Sequence, residues 1–179
     1  MNLNWKLKKS EHLVQDEWID FRKEVYELPD GSEFGPFYNY SRRSFVVIVA
    51  RTKEGKYIII KQFRHGIKKI TRELCAGGIE EHEDPLQAAK RELQEETGYT
   101  STHWTHLMTT YSNPTLADNY AHLYFADGCE KVSDLHLDAT EFLEIEEITK
   151  EELENLIQNQ KFEQPIHILA WLMVQKSVE

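Results

Sequence analysis

The sequence predicts a mixed α/β fold. Three observations carry that expectation: two nearly unbroken apolar strands close together, a well-capped helix between strand signals, and helical periodicity at the end of the chain. The first forty residues read as short strands, with Leu13, Ile19, Phe21, Val25 and Tyr26 set among charged residues. Pro29-Asp30-Gly31 is a turn signal, and Gly35-Pro36 reads as a second turn. Residues 44–51 and 57–62 read as strands joined by a hairpin at Lys53-Glu54-Gly55-Lys56. Their continuous apolar runs imply burial on both faces, hence a sheet covered by helices. Over residues 85–97 the pattern turns helical, with Asp84 as N-cap, Pro85 in the first turn and Gly98 just past the end. Strands follow around residues 106–111 and 122–126, then an acidic loop and a strand near 142–145. Helices over 150–158 and 165–175 complete the chain, the last packing Ile166, Leu169, Ala170 and Met173 into the core. The expected division is a small β domain over residues 1–42 and a main domain over 43–179.

Charge and hydropathy exclude several functions. Of 179 residues, 21 are Lys or Arg and 31 Asp or Glu, a formal net charge of -10. That field repels a polyanion, so nucleic acid is not an expected partner. Acidic proteins that bind phosphates generally do so through a divalent cation. The longest apolar runs, 45–50 and 168–174, fall far short of the roughly 20 residues of a membrane span. The amino terminus lacks the apolar core of a secretion signal. Cys75 and Cys129 read as reduced thiols, which points to a cytoplasmic location.

The chemistry concentrates between Leu74 and Tyr99, LCAGGIEEHEDPLQAAKRELQEETGY. Leu86, Ala89, Leu93 and Thr97 share one face of the helix, while Glu92 and Glu96 lie close together on another, with Glu95 beside them. Like charges four apart destabilise a helix by about 0.2–0.5 kcal/mol per pair. A cation between them would offset that cost, and an all-oxygen donor set selects Mg²⁺ or Mn²⁺. The bland alternative is a solvated acidic face. Gly77-Gly78 ahead of the helix permits close backbone approach, which lets a main-chain carbonyl join a metal site.

Gly77, Glu83, Arg91, Glu92, Leu93, Glu95, Glu96, Gly98 and Tyr99 fill every fixed position of the Nudix box, and the sequence resembles the Nudix hydrolases over that segment. The resemblance implies an α/β/α sandwich with a mixed sheet, and metal-dependent attack of water on a diphosphate linked to another group. It implies that Glu92, Glu95 and Glu96 hold the metal and carry catalysis, with the carbonyl of Ala76 as a further ligand. Gln62-Phe63-Arg64, Glu73-Leu74-Cys75-Ala76-Gly77 and Pro114 are similar to enzymes that cleave ADP-ribose and nucleoside-diphosphate sugars to a nucleoside monophosphate and a sugar phosphate. In that subfamily the small β domain pairs subunits, so a homodimer is implied. Cys75 stands where proline is usual, His82 where glycine is usual, and Asp118-Asn119 follows Pro114 in a variable segment.

The same resemblance suggests roles for the flanking residues. Glu141, from the late acidic loop, is the choice for a base or further ligand, with Glu144 as its rival. Arg64 would fork across phosphate oxygens. Three roles are open to Glu73: touching the sugar of the substrate, orienting Arg64, or pairing with Arg72. Glu83 supports the loop or a second metal, and Arg91 makes a structural salt bridge to a box glutamate. Trp5, Trp18, Phe34, Phe37 and Tyr38 are candidates for stacking on a base, with packing as the commoner fate of such residues. Cys75 reads as a small apolar filler, and His65, His82 and His122 as incidental. Two other readings stay open: a Nudix hydrolase of modified nucleoside triphosphates or dinucleoside polyphosphates, and a nucleotide-sugar sensor without turnover.

Overall fold

The structure, a computed structural model, describes residues 2–137 and 142–178. The chain forms two compact units, residues 1–43 with 111–120, and residues 44–110 with 121–179.

The first unit is a three-stranded antiparallel sheet, β1 (Lys6–Gln15), β2 (Asp20–Glu27) and β3 (Glu33–Ser41), with β2 central. These strands span eight to ten residues, longer than the short strands the sequence predicts. Pro29-Asp30-Gly31 turns the chain between β2 and β3, as expected, but Gly35-Pro36 lies inside β3. The reason is a bulge: the register passes from Glu24↔Phe37 to Tyr26↔Phe34, so Gly35 and Pro36 together face Val25. Proline is tolerated at a bulge because it owes the ladder no donor there. Segment 111–120 is tied to this sheet. Tyr40 N–H donates to Leu116 O (2.8 Å), and Arg22 and the Ser41 hydroxyl both donate to Asp118. Glu24 is buried yet fully partnered, accepting from Arg22, Tyr26, Asn39 and Ser10.

The second unit is an eight-stranded mixed sheet with helices on both faces. Its strands are β4 (Phe45–Thr52), β5 (Tyr57–Arg64), β6 (Lys69–Glu73), β7 (Cys75–Gly78), β8 (Tyr99–Thr100), β9 (His103–Tyr111), β10 (Tyr120–Lys131) and β11 (Leu143–Ile148). β4 runs parallel to β10 and antiparallel to β5 and β7, while β5 is flanked by β6 and β11. The helices are α1 (Pro85–Thr97), α2 (Lys150–Gln158) and α3 (Pro165–Val178). The apolar strands bury both faces, as their sequence implies. Val46, Ile48, Ala50, Ile58 and Ile60 pack with Ala88, Ala89 and Leu93 of α1. Val47, Val49, Tyr57 and Ile59 pack with Leu153 of α2 and Ala170, Trp171 and Val174 of α3. The result is the α/β/α sandwich, with α1 on one face and α2 and α3 on the other. Among the described residues no helix is long and apolar enough to cross a membrane.

Candidate active site

Local chemistry fixes the ends of α1. The Asp84 side chain accepts from the N–H groups of Leu86 and Gln87, and Pro85 opens the first turn. Gly98 ends the helix at φ +73°, and its N–H returns to Gln94 O. A Cβ on Gly98 would also stand 2.2 Å from the carbonyl oxygen of Ser133. Only glycine therefore lets the segment after β10 dock on the helix end, where Val132 N–H donates to Gly98 O and His136 N–H to Glu95 O. Glu141 lies outside the described residues.

The box glutamates are not a solvated face. Glu92 is 9% exposed and Glu96 4%. The sequence separates them from the apolar face, but packing against β7 brings both under cover. The Glu92 carboxyl sits over Gly77 so closely that a Cβ there would fall 2.0 Å from its Cδ. Glu96 accepts from the N–H of Ala76 (3.2 Å), so these two carboxylates bracket the β7 backbone. Arg91 knits the rest together. Its Nε and Nη2 donate to the two oxygens of Glu83 (both 2.9 Å), Nη2 also to Gly78 O (3.0 Å), and Nη1 to Glu92 (2.9 Å) and Glu95 (3.1 Å). Those bonds to Glu83, then the charges around Arg91, raise the guanidinium pKa further. Arg91 in turn holds the Glu83 carboxyl below its ordinary range. Glu83 also accepts from Glu80 N–H (2.9 Å), so it supports the loop ahead of α1. In that loop His82 has φ +65°, the left-handed region that suits glycine.

Among the described residues no three His, Cys, Asp or Glu side chains converge on a metal position, and Arg91 stands among the carboxylates. The donor chemistry nonetheless fits a hard cation. Two buried carboxylates border β7, Glu92 in the room left by Gly77 and Glu96 on the Ala76 N–H, with the partly exposed Glu95 on the same helix, and buried carboxylates call for cationic partners. The Cys75 thiol, fully buried, is pushed well above its ordinary pKa by burial and then by Glu96. It remains a protonated filler.

Arg64 and Glu73 meet. Glu73 is wholly buried, and Arg64 Nε donates to both its oxygens (2.9 and 3.0 Å) while Nη2 donates to Oε2 (2.5 Å). Burial alone would raise the Glu73 pKa, but the bonds from Arg64 and Thr71 outweigh it and the carboxyl lies below its ordinary value. Pairing with Arg72 is ruled out, because Arg72 binds Glu146 (2.7 and 3.1 Å). The rival base Glu144 faces solvent and pairs with Lys61 (2.7 Å). Two partners of this region, one buried and one half-buried, carry no signal in the sequence. Gln164 Nε2 donates to Glu73 Oε1 (3.3 Å), and His167 Nδ1 accepts from Leu74 N–H (3.0 Å). The stacking candidates lie in the first unit, where Trp5 and Phe34 pack on Phe37, Tyr38 stacks on Phe21, and Trp18 carries Arg43.

Residues 40–172 match the NUDIX domain. The chain belongs to the Nudix family. It is 34% identical over 158 residues to the ADP-ribose pyrophosphatase of Bacillus subtilis (strain 168), covering 84% of this chain and 82% of that one. It is 30% identical over 180 residues to the methanol dehydrogenase activator of Bacillus methanolicus, covering 96% and 94%. Among solved structures, that of an ADP compounds hydrolase superposes with a TM-score of 0.84 over 99% of this chain and 96% of that one, at 18% identity. The Nudix box therefore sits on the Nudix fold, and the chain is a hydrolase of a family that works with divalent cations.

Proposed function

We propose that this Nudix hydrolase cleaves the diphosphate of ADP-ribose, or of a closely related nucleoside-diphosphate sugar, to a nucleoside monophosphate and a sugar phosphate. One observation carries the reading: Glu92 and Glu96, buried on α1, close over the backbone of Gly77 and Ala76 beside Glu95. The relatives named for ADP-ribose and ADP-sugar hydrolysis, in Bacillus subtilis and Mus musculus, support the choice of substrate class.

Glu92, Glu95, Glu96 and the Ala76 carbonyl are the residues to hold Mg²⁺, with Mn²⁺ as its substitute. When bound, the cation neutralises diphosphate oxygens and acidifies the attacking water. Arg64 holds a phosphate oxygen, with Glu73 beneath it as the residue that aims the guanidinium. Arg91 keeps the box carboxylates apart and oriented without touching substrate. Glu141 is the proposed base. The aromatic first unit, over residues 1–42 in the main, pairs two subunits into a homodimer, and the unpaired thiols Cys75 and Cys129 suit a reducing cytoplasm.

The test is phosphate release, after added phosphatase, from ADP-ribose, other nucleotide sugars, dinucleoside polyphosphates and nucleoside triphosphates, each with Mg²⁺ or EDTA. Metal-dependent turnover of a nucleotide sugar, reduced by orders of magnitude in Glu96→Gln, is the expected result. Turnover of triphosphates alone, or binding without turnover, would overturn the reading.

A further inference from the structure

The carboxylate under Arg64 is held from the other end of the chain. Both Glu73 oxygens face the Arg64 guanidinium, and Oε1 also accepts from Thr71 Oγ1 and from Gln164 Nε2 (3.3 Å). Gln164 immediately precedes α3, and His167, in the first turn of that helix, fixes the neighbouring peptide by accepting from Leu74 N–H (3.0 Å). Three elements, β5, β6 and the start of α3, thus converge on one pair. That pair is lopsided: the Glu73 side chain is 0% exposed, while the Arg64 side chain is 37% exposed. A carboxylate can turn about its last bond, and an arginine has several rotamers open to it on the solvent side. Donors from Thr71 and Gln164 on Oε1 stop that rotation and keep both oxygens turned to the Arg64 edge, Nε across the two and Nη2 on Oε2. Burial obliges Glu73 to keep a cationic partner, but it leaves open which way the exposed side of Arg64 points; the donors on Oε1 set that direction.

We infer that Gln164 is a positioning residue for Arg64: its amide, anchored by α3, locks the Glu73 carboxylate and so fixes the direction in which Arg64 meets an anionic substrate. The binding part of this inference rests on the proposed role of Arg64. His167 reinforces the lock by holding Leu74, one residue beyond Glu73. Burial pushes the His167 pKa down to about 4, so the ring stays neutral near pH 7 and Nδ1 remains an acceptor.

The experiment uses the full chain with Mg²⁺ and compares wild type with Gln164→Leu, and with Gln164→Asn as a milder variant should the first fail to fold. Loss of a hydrogen bond to a charged group is expected to raise KM for ADP-ribose about tenfold, with kcat changed less than about twofold. In an Arg64→Ala background the same substitution is expected to leave KM where Arg64→Ala alone puts it, since the two act as a unit. A second readout needs no substrate. The Nε–H resonance of Arg64, identified by its loss in Arg64→Ala, is expected to exchange with water about tenfold faster in the Gln164 variants. An unchanged exchange rate would overturn the inference, as would additive effects on KM. If wild type failed to turn over ADP-ribose, the proposed function would fall, and the exchange rate would still decide the role of Gln164.

Discussion

Alanine at Gly77 separates catalysis from folding. An ideal Cβ at this position would stand 2.0 Å from Glu92 Cδ and 2.2 Å from each carboxylate oxygen. Carbon atoms in contact rest about 3.5 Å apart, so the carboxyl must retreat by roughly 1.5 Å. The atoms in the way are the far end of a rotatable side chain, and the φ of Gly77 lies outside the left-handed region. The fold can therefore yield: an off-rotamer Glu92 costs about 0.5–1.5 kcal/mol. The smaller unfolded-state entropy of alanine offsets about 0.4–1 kcal/mol of that. The net change in stability is within about 1 kcal/mol, a shift in Tm of about 2–4 °C for a chain of this size. Displacement by more than 1 Å in a catalytic constellation costs on the order of 100-fold. The assay is kcat/KM for ADP-ribose with Mg²⁺ beside a thermal melt. Activity within threefold of wild type would refute the placement of Glu92 in the working site. A fall in Tm beyond about 10 °C would refute the argument that only a side chain must move.

Three further outcomes follow from the same geometry. Glu141→Gln should depress kcat, whereas Glu144→Gln should change it less than about twofold, because the Glu144 side chain faces solvent and is engaged with Lys61; the opposite order would move the base to Glu144. Stability should fall with acid through His167. Its folded pKa, about 4, lies below its ordinary 6.5, so the unfolded chain takes up the proton first and stability is lost as pH drops from about 6.5 towards 4. That loss amounts to roughly 3 kcal/mol in full, and urea midpoints at pH 7 and pH 4.5 should drop less in His167→Gln than in wild type. His82→Gly should leave Tm unchanged or raise it by a few degrees, because the left-handed φ of +65° costs a non-glycine residue about 1–2 kcal/mol while glycine's added entropy costs about 0.5–1 kcal/mol. A clear drop in Tm would show that the His82 side chain contributes packing.

Features written locally in the chain are legible in the sequence alone. The limits of α1 follow from Asp84, Pro85 and Gly98, all within one turn of the helix ends, and the two-sided burial of β4 and β5 follows from their unbroken apolar runs. Features that depend on distant partners are not. Nothing near Glu24 announces the bulge that absorbs Gly35-Pro36 into β3, since it belongs to the pairing of two strands. β6 reads as charged, Lys-Ile-Thr-Arg-Glu, yet buries Glu73 because its partners arrive from elsewhere. Gln164 and His167 meet Glu73 and Leu74 across 91 and 93 residues of chain, and no spacing rule reaches that far. The burial of Glu92 and Glu96 has the same origin: helical periodicity gives their angle on α1, while the approach of β7 decides that they are covered.

The most direct measurement is the identity of the products formed from ADP-ribose, resolved by phosphorus NMR with Mg²⁺ and with EDTA. Attack on the diphosphate predicts AMP and ribose 5-phosphate in equal amounts, formed only with the cation and lost in Glu96→Gln. ADP with free ribose, or the same products at the same rate in EDTA, would contradict the account.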